Sequence, residues 1–261
     1  MPELPDVETW RRYLDATALH QEVDLVRVPA PQVLAGTTPQ GLGHMLKGRC
    51  IDKTCRHGKY LFARLDTREH LVLHFGMTGR LQYSRDGGRD CDVTACIHFS
   101  NGSQLAYIAP RKLGRIAVTG SVDGFVAAHQ LGPDVLSIDA DHFAGLVQGR
   151  HGAVKSWLMN QHIMAGIGNV YSDEILFQAR IHPRHQVKAL DHDELTRLHE
   201  ALHRVLETAI EAKAEPDRMP ESFLLPHRRD GGRCPCCDAC LDTARVGGRT
   251  AWFCPRCQQL S

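Results

Sequence analysis

The sequence predicts an α+β protein: an N-terminal β-sandwich flanked by helices, followed by a helical domain that ends in a zinc ribbon. Three observations predict it. Short β-rich runs separated by turn residues fill residues 23–119, which is the pattern of a sandwich. Helical periodicity takes over beyond about residue 140, and two Cys-x-x-Cys pairs close the chain. A chain of 261 residues has room for two domains with separate cores. The expected division is a catalytic helix and sandwich over 1–120, a linker over 121–140, a helical domain over 141–224 and the ribbon over 225–261.

In chain order, Pro5 opens a helix over residues 5–16, because Val7, Trp10 and Leu14 recur at helical spacing and a proline suits the first turn. Six β-rich runs follow, at 23–28, 60–65, 71–75, 93–99, 105–108 and 116–119. Asn101-Gly102 predicts a two-residue hairpin turn, and Asp86-Gly87-Gly88 marks another turn. Leu131-Gly132-Pro133-Asp134 interrupts the pattern and places the linker. Asn169 is expected to cap a helix running through Ala179. Asp191 and Glu194 form a capping box, after which Leu195, Leu198, Leu202, Val205, Leu206 and Ile210 trace the apolar stripe of a long helix.

At the C-terminal end, Cys234/Cys237 and Cys254/Cys257 are separated by sixteen residues, the spacing of a four-thiolate zinc ribbon. A site with four Cys ligands and no open position holds a fold together and does no chemistry. The alternative knuckle Cys237/Cys240 would leave Cys234 without a role, so Cys236 and Cys240 are read as spare thiols. Cys50-x4-Cys55-x-His57 and Cys91-x4-Cys96-x-His98 look alike, but residues five apart on a strand face opposite ways and cannot chelate together.

The chemistry concentrates at the other end. Once Met1 is trimmed, Pro2 becomes a secondary amine. Because α-amino groups ordinarily titrate near roughly 8, such an amine is substantially unprotonated near neutral pH. It can attack an electrophilic sugar carbon and form an iminium, with Glu3 moving the protons. The competing reading is punctuation of a terminus by Pro2 and Pro5.

Composition excludes more than it selects. No apolar run approaches a membrane span and no signal peptide opens the chain, so a cytoplasmic location is expected, and the chain is expected to act as a monomer. Ten cysteines with only four assigned to metal fit a reducing compartment. Net charge is +1, so a nucleic-acid partner rests on local clusters: Arg111, Lys112 and Arg115; His227, Arg228, Arg229 and Arg233; and Arg245, Arg249 and Arg256.

Taken together, Pro2-Glu3, Gly166-Ile167-Gly168-Asn169 and the terminal ribbon, in that order, resemble the formamidopyrimidine-DNA glycosylase and endonuclease VIII family of base-excision repair enzymes. The resemblance covers nearly the whole chain. It implies a helix-two-turn-helix clamp in the second domain, one structural Zn2+, damaged double-stranded DNA as partner, and a glycosylase with abasic-site lyase activity by β,δ-elimination. Pro2 would be the nucleophile and Glu3 the acid/base. Lys59 would assist in proton transfer and at the phosphate beside the sugar, although a strand-end lysine is ordinarily just exposed. Arg249 would grip the phosphates around the flipped nucleotide.

The resemblance also places Met77, in its Gly76–Gly79 loop, with Arg111 and Leu113 as residues inserted where a nucleotide is flipped out. Asn169, Lys155 and Arg150 would contact phosphates. Glu174 is read either as facing the active site or as a surface carboxylate. This chain departs from the family in several places: Leu113 stands for an aromatic residue, Lys112 for a second Arg, Asp6 for Glu, and Asp90-Cys91-Asp92-Val93 for a His-Asp-His stretch. Only nineteen residues, 215–233, separate Ala214 from Cys234, which leaves little for a lid over a flipped purine. The competing class is a non-catalytic zinc-ribbon protein that binds damaged DNA or RNA.

Overall fold

A computed structural model describes residues 1–86 and 93–260 of the chain. They form two compact units, Met1–Gln130 and Leu131–Ser261. The first contains α1 (Leu4–Ala18), β1 (Val23–Arg27), α2 (Pro39–Leu46), β2 (Ile51–His57), β3 (Tyr60–Leu65), β4 (His70–His74), β5 (Arg80–Ser84), β6 (Ala95–Phe99), β7 (Gln104–Ile108), β8 (Arg115–Thr119) and α3 (Val122–Ala128).

Its strands make two antiparallel sheets, ordered β1-β6-β7-β5 and β2-β3-β4-β8. Alternate side chains of both sheets, among them Leu61, Leu73, Ile97 and Leu105, fill the space between them together with Val7, Leu14 and Ala18 of α1. The helix that follows the Pro2-Glu3 start is therefore part of the sandwich core. Burying this apolar surface stabilises by roughly 25 cal/mol per Å2, which fixes α1 far more firmly than its helix propensity would.

All six expected strands are present. Two further strands and one helix lack a sequence signal for a physical reason. β2 and β5 are edge strands with mostly polar, half-exposed residues, and α2 contains two glycines within its eight residues. At Asn101-Gly102 the loop has three residues, not two: Phe99 N–H bonds the Ser103 carbonyl at 2.9 Å, and Gly102 takes φ +85°. The turn expected at Asp86-Gly87-Gly88 and the Asp90-Cys91-Asp92 stretch lie largely or wholly outside the described residues, as does Cys91 of the second Cys-x4-Cys pair. The stretch expected as a linker carries α3, whose Phe125 is buried against Phe62 and Val72.

The second unit contains α4 (Ala140–Gly145), α5 (Val154–Leu158), α6 (Asn169–Ala179), α7 (His192–Glu211) and the hairpin of β9 (Asp242–Val246) and β10 (Arg249–Phe253). The capping box of α7 forms as expected, with Glu194 N–H on Asp191 Oδ1 at 2.7 Å and Asp191 N–H on Glu194 Oε2 at 3.1 Å. Its stripe is buried at Leu198, Leu202, Val205, Leu206 and Ile210. No helix among the described residues is long and apolar enough to cross a membrane.

Candidate functional site

The N-terminal pair is held by the start of α1. Glu3 is the extended residue before the helix, and its backbone N–H donates to the Asp6 carboxylate at 2.8 Å while its carbonyl accepts from Val7 at 3.1 Å. Only 1% of Glu3 is exposed. Burial pushes the Asp6 carboxyl up to about 6, opposed by the Glu3 backbone bond and reinforced by the Glu3 charge. Lys59 sits in the two-residue turn Gly58-Lys59 between β2 and β3 and is buried, which corrects the picture of an exposed strand-end lysine. Nearby His74 is held down to about 4 by burial and by the positive charges of Lys59 and Arg115. Its Nδ1 accepts from Gly76 N–H at 3.3 Å, and Tyr107 donates its hydroxyl to the His74 carbonyl at 2.8 Å.

The Gly76–Gly79 loop and the segment after β7 are brought into contact by close backbone approach. A Cβ on Gly76 would lie 2.6 Å from Gly114 N and 2.7 Å from the Leu113 carbonyl oxygen, and Gly76 has φ +60°. A Cβ on Gly114 would collide with the Tyr107 hydroxyl. Met77 and Leu113 are large apolar side chains left 42% and 51% exposed, and Arg111 Nη1 reaches the Met77 sulfur at 3.7 Å. Exposed apolar side chains beside a guanidinium form a surface suited to insertion into a base stack.

In the second unit, Gln161 shapes the glycine turn: its amide NH2 donates to the Ile167 and Met159 carbonyls, each at 2.8 Å, and its oxygen accepts from Gly166 N–H at 3.1 Å. The capping residue is Gly168, so Asn169 is the first helical residue and not the cap. Lys155 corrects the expectation of a phosphate contact. It is fully buried, with Nζ 2.6 Å from Asp173, 2.8 Å from Ser172 Oγ and 3.0 Å from the Asn169 carbonyl. Arg228 holds the other Asp173 oxygen at 2.9 Å. Lys155 thus fixes the first turn of α6 from inside. Arg150 is exposed.

Glu174 is neither a surface carboxylate nor free to face a site. It is buried and accepts the Leu224 and Leu225 N–H groups at 3.0 and 2.7 Å and Gln178 Nε2 at 2.9 Å. Burial pushes it up to about 7 against those bonds. Residues 215–233 are tied down at this point, and Phe223 and Leu224 are buried.

Cys234, Cys237, Cys254 and Cys257 bring their sulfurs within 4.8 Å of one another, with Sγ separations of 3.5, 3.6 and 3.7 Å. Sulfurs about 2.3 Å from a tetrahedral ion stand roughly 3.8 Å apart, so the set fits a metal. Cys236 and Cys240 are exposed outside it. Gln258 links the second knuckle to the end of α6, accepting from Cys254 N–H and donating to the Ile181 carbonyl, each at 2.9 Å. Arg249 is exposed at the hairpin tip, after Gly247 and Gly248 with φ +54° and +75°. A Cβ on Gly247 would lie 2.6 Å from Ser156 Oγ, so the hairpin tip rests on α5.

Sequence reasoning missed Asp173, His74 and the anchoring by Glu174, and it placed Arg228 in a cluster for nucleic acid rather than on Asp173. Two consecutive acidic residues one turn into a helix were the only available signal. A further apparent motif is structural. In α7, His199-Glu200-Ala201-Leu202-His203 has the spacing that can place two imidazoles on zinc. Both Nε2 atoms lie instead 3.0 and 3.2 Å from the Ile138 carbonyl, with no third side-chain ligand among the described residues.

Residues 1–116 match the model of the formamidopyrimidine-DNA glycosylase N-terminal domain, and residues 131–219 that of its H2TH domain. The formamidopyrimidine-DNA glycosylase of Moorella thermoacetica is 36% identical over 99% of this chain and 93% of its own length. The protein of the same name from Pelotomaculum thermopropionicum is 33% identical, with both chains covered in full. A crystal structure of Lactococcus lactis Fpg with DNA containing an abasic site superposes with a TM-score of 0.89 at 28% identity, covering 99% of this chain and 100% of that one.

Proposed function

Since the chain belongs to the formamidopyrimidine-DNA glycosylase family, we propose that it is a base-excision-repair DNA glycosylase and abasic-site lyase acting on oxidised bases in double-stranded DNA. The observation that carries the mechanism is the buried Glu3 carboxyl directly after Pro2, at the rigid start of α1. With Met1 removed, the Pro2 nitrogen attacks C1′ and the bond to the base breaks, its electron pair leaving with the base. Glu3 supplies and accepts the protons. The Pro2 nitrogen, having lost its proton, then uses its electron pair to form the iminium as the C1′–O4′ bond breaks and O4′ takes a proton. The iminium acidifies the 2′ hydrogen, whose removal expels the 3′ phosphate, and a second elimination expels the 5′ phosphate. Lys59 and Arg249 assist at the phosphates.

Met77, Arg111 and Leu113 would fill the gap left by the flipped nucleotide, offsetting part of the unstacking cost. Asn169 and Arg150 would hold phosphates, the former at a helix N-terminus that favours negative charge. The four-cysteine site would hold Zn2+, which supplies structure alone because no coordination position is open. The working form would be a cytoplasmic monomer.

The test is borohydride trapping on abasic duplex DNA. A covalent adduct that disappears in Pro2→Thr supports the reading. Absence of an adduct from protein shown by mass to lack Met1 would leave only the non-catalytic DNA-binding alternative, whereas undiminished trapping in Pro2→Thr would move the nucleophile to another amine.

A further inference from the structure

The residues proposed to act at the sugar lie on two separate elements. Pro2 and Glu3 open α1, whereas Lys59 occupies the turn after β2. Chemistry on one atom needs these ends at a fixed separation, and a misplacement of about 1 Å can cost on the order of 100-fold in rate. A charged network spans the gap. Glu8, five residues along α1 from Glu3, is nearly buried and accepts Arg11 at 2.7 and 2.9 Å and Arg12 at 3.0 Å. Its second oxygen also lies 3.5 Å from Nε of Arg56 on β2. Arg56 in turn donates Nη1 to the Gly58 carbonyl at 3.1 Å. That carbonyl belongs to the peptide immediately before Lys59, at a glycine with φ +54°.

One side chain therefore touches both partners: Glu8 on the helix carrying the nucleophile, and the peptide whose next residue is Lys59. The Arg56 side chain is only 9% exposed, so its ion pair with Glu8 is weakly screened. A second tie one turn on keeps helix and strand in register: Arg11 Nη1 meets Asp15 at 2.7 Å, and the Thr54 hydroxyl on β2 also donates to Asp15. Burial opposes ionisation of Glu8, yet the bonds from Arg11 and Arg12 and the charge of Arg56 hold its carboxyl below the usual range. A lysine could not replace Arg56, because one ammonium on a flexible stem lacks the planar guanidinium that places one nitrogen beside Glu8 while another donates to the Gly58 carbonyl.

We propose that Arg56 is a positioning residue for the reaction: through Glu8 and the Gly58 carbonyl it sets the Lys59 ammonium against the Pro2–Glu3 end of α1. The proposal rests on the function given above and assigns Arg56 no contact with DNA. It predicts coupling to Lys59. In single-turnover excision, Arg56→Ala should lose roughly 10- to 100-fold in rate, with damaged-duplex affinity within about twofold of wild type. Arg56→Ala in a Lys59→Ala background should cost almost nothing more, since the residue it positions is gone. Added guanidinium ion should restore part of the Arg56→Ala rate and none of the Lys59→Ala rate. Full additivity of the two substitutions, or a wild-type rate in Arg56→Ala, overturns the proposal. If Arg56→Ala fails to fold, the same cycle with Arg56→Lys decides it. Failure of the parent reading looks different: wild-type protein lacking Met1 would then give no trapped adduct at all.

Discussion

Arg111 Nη1 lies 3.7 Å from the Met77 sulfur although the two residues stand 34 positions apart. The glycine contacts between the two loops leave no room for a side chain, so the pair is presented as one unit. Met77→Ala should slow excision from fully paired duplex more than from the same lesion in a mismatch, where unstacking is already cheaper. Equal slowing on both substrates would argue against a wedge. Gly76→Ala combines a Cβ contact at 2.6 Å with φ +60° and should cost roughly 1–3 kcal/mol of stability, read from urea unfolding.

Lys155 and Arg150 separate on salt dependence. A phosphate contact contributes about 0.9 to the slope of log K against log salt. Arg150→Met should lower that slope, whereas Lys155→Met should leave it unchanged, because Nζ is committed to Asp173 inside the protein. Removing one partner of a buried pair costs about 3–5 kcal/mol, so Lys155→Met should unfold earlier. A reduced slope in Lys155→Met would restore it as a phosphate ligand.

Metal analysis should give one zinc per chain. Cys254→Ser should lose the ion and duplex binding while leaving the sandwich folded by circular dichroism, since binding is coupled to folding of the ribbon. Cys236→Ser and Cys240→Ser should keep the metal. Well-folded, DNA-binding protein without zinc would remove the claim.

Glu174 and His74 should contribute to stability with opposite dependence on pH. Glu174 is raised from 4.5 to about 7, so its proton-linked stability is complete below about pH 4.5 and is lost as pH rises through 7. Two to three pKa units correspond to on the order of 3 kcal/mol. Glu174→Gln should flatten this slope. His74 is lowered from 6.5 to about 4, so its contribution is present above pH 6.5 and is lost as pH falls through 4; His74→Gln should remove that acid sensitivity. Chemical denaturation from pH 4 to 8, with probes in each unit, measures both.

Lesion choice should follow the tethered 215–233 segment. With Leu224 and Leu225 fixed to Glu174, little chain remains to close over a flipped purine, and selection should depend on how easily a base leaves the stack. Ring-opened purines, further-oxidised guanine products and oxidised pyrimidines should be released faster than 8-oxoguanine. Single-turnover rates on matched duplexes check this; 8-oxoguanine opposite cytosine as the fastest substrate would refute it.

By itself the sequence determined whatever is encoded over a few residues. The two Cys-x-x-Cys pairs, the capping box of α7, the β-rich runs of the inner strands and the Pro2-Glu3 start are local patterns, and all are found where their spacing put them. Only the tertiary structure decided which charges are buried and what they hold. The resemblance implied a phosphate contact for Lys155, but its partner Asp173 is 18 residues away, and the Arg228 that shares Asp173 is 55 further on. Glu174 acquired its role from two amides about 50 residues distant. The same reason hid β2 and β5: an edge strand takes its conformation from the neighbour it pairs with, so its own side chains need not alternate in polarity.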